Sequence, residues 1–232
     1  MRMWKAVGEF RLILPDDRIL VAVSGGKDSM ALLDMLHNRR RMAGMKYRLA
    51  AAHIDLTDVP YQADDAVLSD FARVRDIPYV RITDNVRVTD GNKHPCFYCA
   101  WNRRRLLFQW AVEHGFNKVA LGHNRDDFTE TLLMNMIYHG EISAFKPRQN
   151  MFEGRLEIIR PLFYLSNRQI KRYVELIGYR PVPYNCPFAG GNDREKFRDL
   201  MLKIKKIHPK AGENLLRSAR RIRKDYLPPA DT

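Results

Sequence analysis

Three short stretches of this chain gather residues whose types and spacing suit chemistry. The first, "VAVSGGKDSM" (Val21 to Met30), sets two glycines and two serines between an apolar run and the residues that open a helix. Gly25 and Gly26 let backbone N–H groups point at an anion, the dipole of the following helix favours negative charge, and Ser24 and Ser29 add hydroxyl donors. The plainer reading is a tight turn with Asp28 or Ser29 as helix cap. The patterns G-x-x-x-x-G-K-[ST] and G-x-G-x-x-G are both missing, which argues against a Walker loop and a dinucleotide fold. The second stretch, "LGHNRDDFTET" (Leu121 to Thr131), carries Asp126 and Asp127. A carboxylate here suits Mg²⁺ on a nucleotide or a proton in transit, and Gly122 permits close approach of the nucleotide. Against this stands helix capping, since Glu130 follows Asp127 by three positions. The third, "HPCFYCAWNRRRLLF" (His94 to Phe108), puts Cys96 and Cys99 just before a basic helix carrying Arg103, Arg104 and Arg105, with Cys186 far downstream. The arginines suit RNA phosphate or charge developing in a reaction; the alternative is a solvated basic face.

The elements that must position these residues are legible as alternation. "RILVAV" reads as a strand, followed by a helix through Met30, Leu32, Leu33 and Leu36. "YRLAAAHI", "IPYVRI" and "KVALG" read as further strands, separated by helices over Ala63–Arg75 and Asn102–His114 and followed by one over Asp127–Tyr138. Such alternation predicts right-handed crossovers and a doubly wound α/β domain with a parallel sheet. Ligands in such sheets lie beyond the carboxyl ends of the strands, where these motifs fall. Asp55 follows the second strand, where the sequence by itself reads as the start of the next turn. A polar loop is expected over Gly140–Gly154, then a strand in "RLEIIRPLFYL" and a helix from Asn167 to Ile177. Two basic helices, Arg194–Ile207 and Gly212–Tyr226, close the chain. We therefore expect an α/β domain over residues 1–188 and a basic helical extension over 189–232.

Composition narrows the partners. The 232 residues are 45% hydrophobic, enough for a sizeable core, and carry 40 Lys and Arg against 27 acids, a formal charge of +13. Twelve Lys/Arg and five acids lie between Asp193 and Asp225, so this tail alone holds +7 of the excess. That favours a polyanion such as nucleic acid, although a solvated helix face has the same composition. No apolar run approaches about 18 residues and no export signal opens the chain, so a cytoplasmic protein away from membranes is expected. An odd count of three cysteines then excludes a disulfide scaffold. Four readings stay open: an iron–sulfur cluster, zinc held by three cysteines with His94 or water, a persulfide relay between Cys99 and Cys186, and inert packing.

"SGGKDS" (Ser24 to Ser29) resembles the PP-loop of N-type ATP pyrophosphatases, which cleave ATP between the α and β phosphates. With "CFYC", "GHNRDDFTET", "IIRPLFYLSNRQI" and the lone Cys186 in this order, the chain is similar to the tRNA 2-thiocytidine synthetase family from about Trp4 to Ile222. The resemblance implies an enzyme that adenylates a pyrimidine carbonyl, with cytidine 32 of the anticodon loop as the expected base, and replaces its oxygen with sulfur. It implies ATP bound by Ser24, Gly25, Gly26, Lys27, Asp28, Ser29, Asp55 and Gly122, with Mg²⁺ on the phosphates and Asp126, Asp127 and Arg103 serving catalysis. Cys96, Cys99 and Cys186 would hold a [4Fe-4S] cluster with one iron open to sulfur, and Arg104, Arg105, Arg220, Arg221, Arg223 and Lys224 would meet tRNA. The expected partners are tRNA and a cysteine desulfurase or other sulfur donor, with a homodimer left open. The rivals are a PP-loop ligase of the lysidine-synthesising type, which leaves the cysteines idle, and a non-catalytic ATP- and RNA-binding protein with a structural metal site.

Overall fold

The structure, a computed structural model, describes residues 2–41, 46–57, 59, 63–85, 94–181, 186 and 193–226. It opens with a helix not foreseen from the sequence, α1 (Arg2–Glu9), and then alternates: β1 (Arg18–Ala22), α2 (Lys27–Arg41), β2 (Arg48–Leu56), α3 (Asp65–Arg73), β3 (Tyr79–Asp84), α4 (Pro95–Glu113), β4 (Lys118–Ala120) and α5 (Arg125–His139). There follow β5 (Arg148–Met151), β6 (Leu156–Ile159), α6 (Asn167–Leu176), α7 (Asp193–Ile207) and α8 (Ala211–Ser218). The sheet runs β3-β2-β1-β4-β6-β5. Five strands are parallel and β5 pairs antiparallel with β6. The doubly wound expectation holds, with β5 as a correction: the stretch read as loop contains an edge strand.

The chain forms two compact units. One comprises Met1–Asn124 with Lys146–Gly190, and the other Arg125–Phe145 with Gly191–Thr232. The first holds the sheet. Alternate residues Ala50, Ala52, Ile54 and Leu56 of β2 join Leu20, Val119 and Ile158 on one face, where Leu107, Phe108 and Ala111 of α4 complete a core that includes Cys186. Fully burying such aliphatic side chains stabilises by about 1.5–3 kcal/mol each, which fixes where each strand ends and its loop begins. Lys118 in β4 is buried in spite of its charge, held by Glu157 at 2.6 Å and Asp17 at 3.4 Å.

Two further boundaries differ from expectation. Helix α4 begins at Pro95, not near Asn102, because His94 caps it by accepting from the Cys96 N–H at 3.3 Å and proline suits the first helical position. Helix α8 ends at Ser218, short of Tyr226, and a 3₁₀ turn occupies Lys224–Tyr226. In the second unit α5 carries Phe128 against Phe145 and Tyr138 against Phe197 of α7, ring to ring at 5.6 and 5.3 Å.

Candidate functional site

The order of the sheet reverses between β1 and β4, and the loops leaving those two strands meet there. The loop after β1 is the glycine turn. Gly25 takes φ +75°, a conformation that favours glycine, and its carbonyl accepts from the buried Tyr179 hydroxyl at 2.9 Å. Ser29 ties the turn twice: its Oγ accepts from the Ser24 N–H at 3.1 Å and donates to the Gly26 carbonyl at 3.0 Å. Because α2 starts at Lys27, Asp28 and Ser29 lie inside its first turn and neither is its N-cap. A Cβ built on Gly26 would meet only Ser24 Oγ, at 3.4 Å, so space within the protein does not require glycine there.

Gly122 in the loop after β4 is different. A Cβ there would stand 3.1 Å from both the Asp28 carbonyl carbon and the Ser29 nitrogen, so the close approach seen is that of the first turn of α2. Beside it, the Asp28 carboxylate accepts from Lys27 at 2.6 Å and from the Asn124 amide at 3.1 Å. Asn167 Oδ1, at the start of α6, accepts from the same two groups at 2.7 and 3.2 Å. Ser166 caps α6 in a reciprocal capping box with Gln169, which holds Asn167 in register. Sequence reasoning missed Asn124 and Asn167 as site residues; "LSNRQI" carried the capping signal but nothing to show that it faces Lys27.

At the end of β2, Asp55 is buried and its Oδ2 takes both the Nε (3.1 Å) and the Nη2 of Arg81 on β3. Two residues earlier, His53 Nδ1 lies 2.8 Å from the Val23 carbonyl, next to the glycine turn. Burial holds this histidine below the usual range, the bond to Val23 offsets part of that, and the positive charge of Arg103 lowers it further. Arg103 is half-buried, and its Nε has no hydrogen-bond partner among the described residues. Arg104 is exposed, while Arg105 reaches Asp84 at 3.4 Å and Gln109 at 3.2 Å. Three consecutive arginines thus have three environments, as 100° per residue around a helix requires.

Cys96 and Cys99 sit on the first turns of α4, both half-buried, and Cys186 is buried in the core against which Cys99 packs. None is in a disulfide. Burial pushes the Cys96 thiol up, and the neighbouring thiols of Cys186 and Cys99 push it further, so the three thiols share one environment. Among the described residues no three His, Cys, Asp or Glu side chains are gathered tightly enough to hold a metal ion. The fit to an iron–sulfur cluster is therefore one of donor type, three soft thiols in one unit, rather than of a formed cage. His94 spends its Nδ1 as the helix cap.

In the second unit, Asp126 and Asp127 lie inside the first turn of α5, so neither is its N-cap. Asp126 is buried, with Oδ1 3.2 Å from Lys205 of α7, and its neighbour Arg125 pairs with Glu213 of α8 at 2.8 Å. Burial pushes Glu130 up to about 7, Asp127 adds to this, and Arg198 and Arg194 draw it partly back. Arg220, Arg221 and Arg223 are exposed beyond α8, Arg223 over the Tyr226 ring at 4.4 Å. The side chain of Lys224 lies outside the described residues, as do the neighbours of Cys186 in "YNCPF" and most of "AGGND". No helix among the described residues is long and apolar enough to cross a membrane.

The PP-loop domain family matches residues 3–181. The chain is 36% identical over 230 residues to the tRNA-cytidine(32) 2-sulfurtransferase of Geobacter sulfurreducens, covering 96% of this chain and 89% of that one. It is 33% identical over 229 residues to the enzyme of the same name from Coxiella burnetii, with the same coverage of 96% and 89%. Among solved structures it resembles the U34-tRNA thiolase NcsA from Methanococcus maripaludis with its [4Fe-4S] cluster, at TM-score 0.79 and 20% identity, over 95% of this chain and 76% of that one. That likeness is one of fold.

Proposed function

Because the chain belongs to the PP-loop domain family and, within it, to the tRNA-cytidine(32) 2-sulfurtransferases, we propose that it uses ATP to activate the 2-carbonyl of cytidine 32 in tRNA and exchanges that oxygen for sulfur. A pyrimidine carbonyl oxygen is a poor leaving group. In the proposed sequence it attacks the α-phosphorus of ATP, the α–β bond breaks and pyrophosphate leaves; a sulfur nucleophile then adds at carbon 2, and AMP departs with the oxygen. The backbone N–H groups of the Ser24–Ser29 turn and Lys27 receive the pyrophosphate, with Mg²⁺ neutralising charge. Asp28 orients Lys27, and Asn167 and Asn124 hold that pair in place. Asp55 lies at the adenosine end. Arg103 stabilises charge on the activated base, and Asp126 and Asp127 serve metal or proton.

Cys96, Cys99 and Cys186 would hold a [4Fe-4S] cluster, and three thiolates leave one iron with an open position suited to binding sulfide. Sulfur comes from an exogenous donor, a cysteine desulfurase being the expected one. The extension over residues 189–232, with Arg220, Arg221, Arg223 and Lys224, meets tRNA phosphates together with Arg104 and Arg105. The observation that carries this reading is the presence, in one α/β unit, of a glycine turn at the strand switch point and of three cysteines outside any disulfide, two of them one turn apart at the start of α4. The test is the nucleoside profile of tRNA from cells lacking the protein: 2-thiocytidine should vanish and return with the intact gene. An unchanged profile would overturn the reading, and loss of lysidine in its place would favour a ligase.

A further inference from the structure

Helix α4 presents two unlike faces over the same two turns. At about 100° per residue, Cys96, Cys99 and Arg103 fall in one sector, and Phe97, Trp101 and Arg104 in another about 140° around the helix, with Arg105 just beyond Trp101. The second side faces water although it is aromatic: Phe97 is 45% and Trp101 50% exposed, and their spacing of four positions makes them neighbours on the helix surface. From Pro95 to Val112 the helix carries no acidic residue. The Arg105 guanidinium stands 5.7 Å from the Trp101 ring centroid and is tethered from behind by Asp84 and Gln109, so Trp101 is braced on one flank. The positive charge of Arg104 also presses on buried Arg160.

Exposed rings bordered by arginines, on a helix without carboxylates, complement a ligand that offers flat π-surfaces joined by anions. An unpaired stretch of nucleic acid offers both. A neutral protein partner would be served by the rings alone and gains nothing from the missing carboxylates. We propose that Phe97 and Trp101 form a stacking platform for an unpaired base of the tRNA anticodon loop, flanked by Arg104 as a phosphate contact. The proposal rests on the tRNA-modifying reading above. Since Cys96 and Cys99 lie about 140° or more around the helix from Trp101, the base stacked on Trp101 is a neighbour of the reacting cytidine rather than the cytidine itself, and the platform sets how the loop enters.

The test measures binding of an unmodified anticodon stem-loop RNA across a salt series. Stacking is insensitive to salt and phosphate contact is not, so the two kinds of residue should separate. Trp101→Ala should weaken binding about tenfold without changing the salt slope, and Trp101→Phe should restore most of it. Arg104→Ala should lower the slope by about one phosphate charge. A fully paired RNA hairpin stem should be bound equally by wild type and Trp101→Ala. Phe97→Ala gives an independent second variant should Trp101→Ala fold poorly by its thermal midpoint. Wild-type affinity for the stem-loop in both alanine variants would overturn the platform. So would intact RNA binding with lost sulfur delivery from a protein donor, which would make the patch a protein dock. If the stem-loop is bound through Trp101 but no 2-thiocytidine forms, the platform stands and the sulfur-transfer reading falls; if 2-thiocytidine forms while both alanine variants bind normally, the reverse holds.

Discussion

The glycine turn and the thiol site lie in the same α/β unit and are built in opposite ways. In the turn the side chains already have partners: Ser29 closes it, Tyr179 pins Gly25, and Asp28, Lys27, Asn124 and Asn167 satisfy one another. The thiol site is apolar by contrast: Cys186 lies in the hydrophobic core and Cys99 packs against it, while burial pushes the Cys96 thiol up and its two neighbours push it further. An anion site made of backbone can be finished by folding, because N–H groups point outward without repelling one another. The proposed cluster site could not be, because its donors would become good ligands only as thiolates, and thiolates held near one another repel until a metal is bound.

The largest effect that would break this contrast is at Cys186. Cys186→Ala should reduce iron from about four per chain, the content of a [4Fe-4S] centre, to near zero and abolish tRNA thiolation, while ATP binding persists. Iron retained in the variant, measured after anaerobic preparation, would contradict the assignment. The glycines sharpen the contrast from the other side. Gly26→Ala should cut pyrophosphate release at least about 100-fold with an unchanged thermal midpoint, since its Cβ meets only Ser24 Oγ within the protein and blocks the phosphate instead. Gly25→Ala should also lose about 1–2 kcal/mol of stability because of its positive φ. Equal stability losses in the two variants would make the turn purely structural.

The smallest effect concerns Glu130, a carboxyl buried in the helical unit. Its folded pKa, about 7, lies above the ordinary 4.5, so its burial is harmless while protonated and costs stability as pH rises from about 4.5 to about 7, levelling off above. Glu130→Gln should flatten that fall by something on the order of 2 kcal/mol, read from denaturant unfolding at several pH values. The groups acting on it are Asp127 and Asp126 from its own helix and Arg198 and Arg194 from α7. A wild-type pH profile in the variant would show that the carboxyl is better hydrated than its burial suggests.

Local signals made part of this legible in the sequence. Apolar runs and period marked β1 to β4 and most helices, and the order "SGGKDS", "CFYC", "GHNRDDFTET" pointed to ATP chemistry and thiols. What escaped was polar or distant. The strand "RQNM" has no apolar alternation and is a strand only because β6 offers it a ladder. Asn167 meets Lys27 across 140 positions. The start of α4 was written in His94 and Pro95, a cap and a first-turn proline, but the basic run drew attention to Asn102 instead. The capping pattern at Asp127 misled because α5 begins two residues earlier, at Arg125.

The antiparallel strand β5 has a consequence for how the protein behaves at high concentration. Without it, Leu156–Ile159 would end the sheet, leaving a row of unpaired amides beside apolar side chains that another molecule's strand could join. The chain covers that row with its own Arg148–Met151, whose Asn150 is exposed and whose Arg148 is fastened to Glu157. The strand that ends the sheet on this side is thus short and polar, with its one charge held by Glu157, and it offers another molecule's strand little apolar surface to pack against.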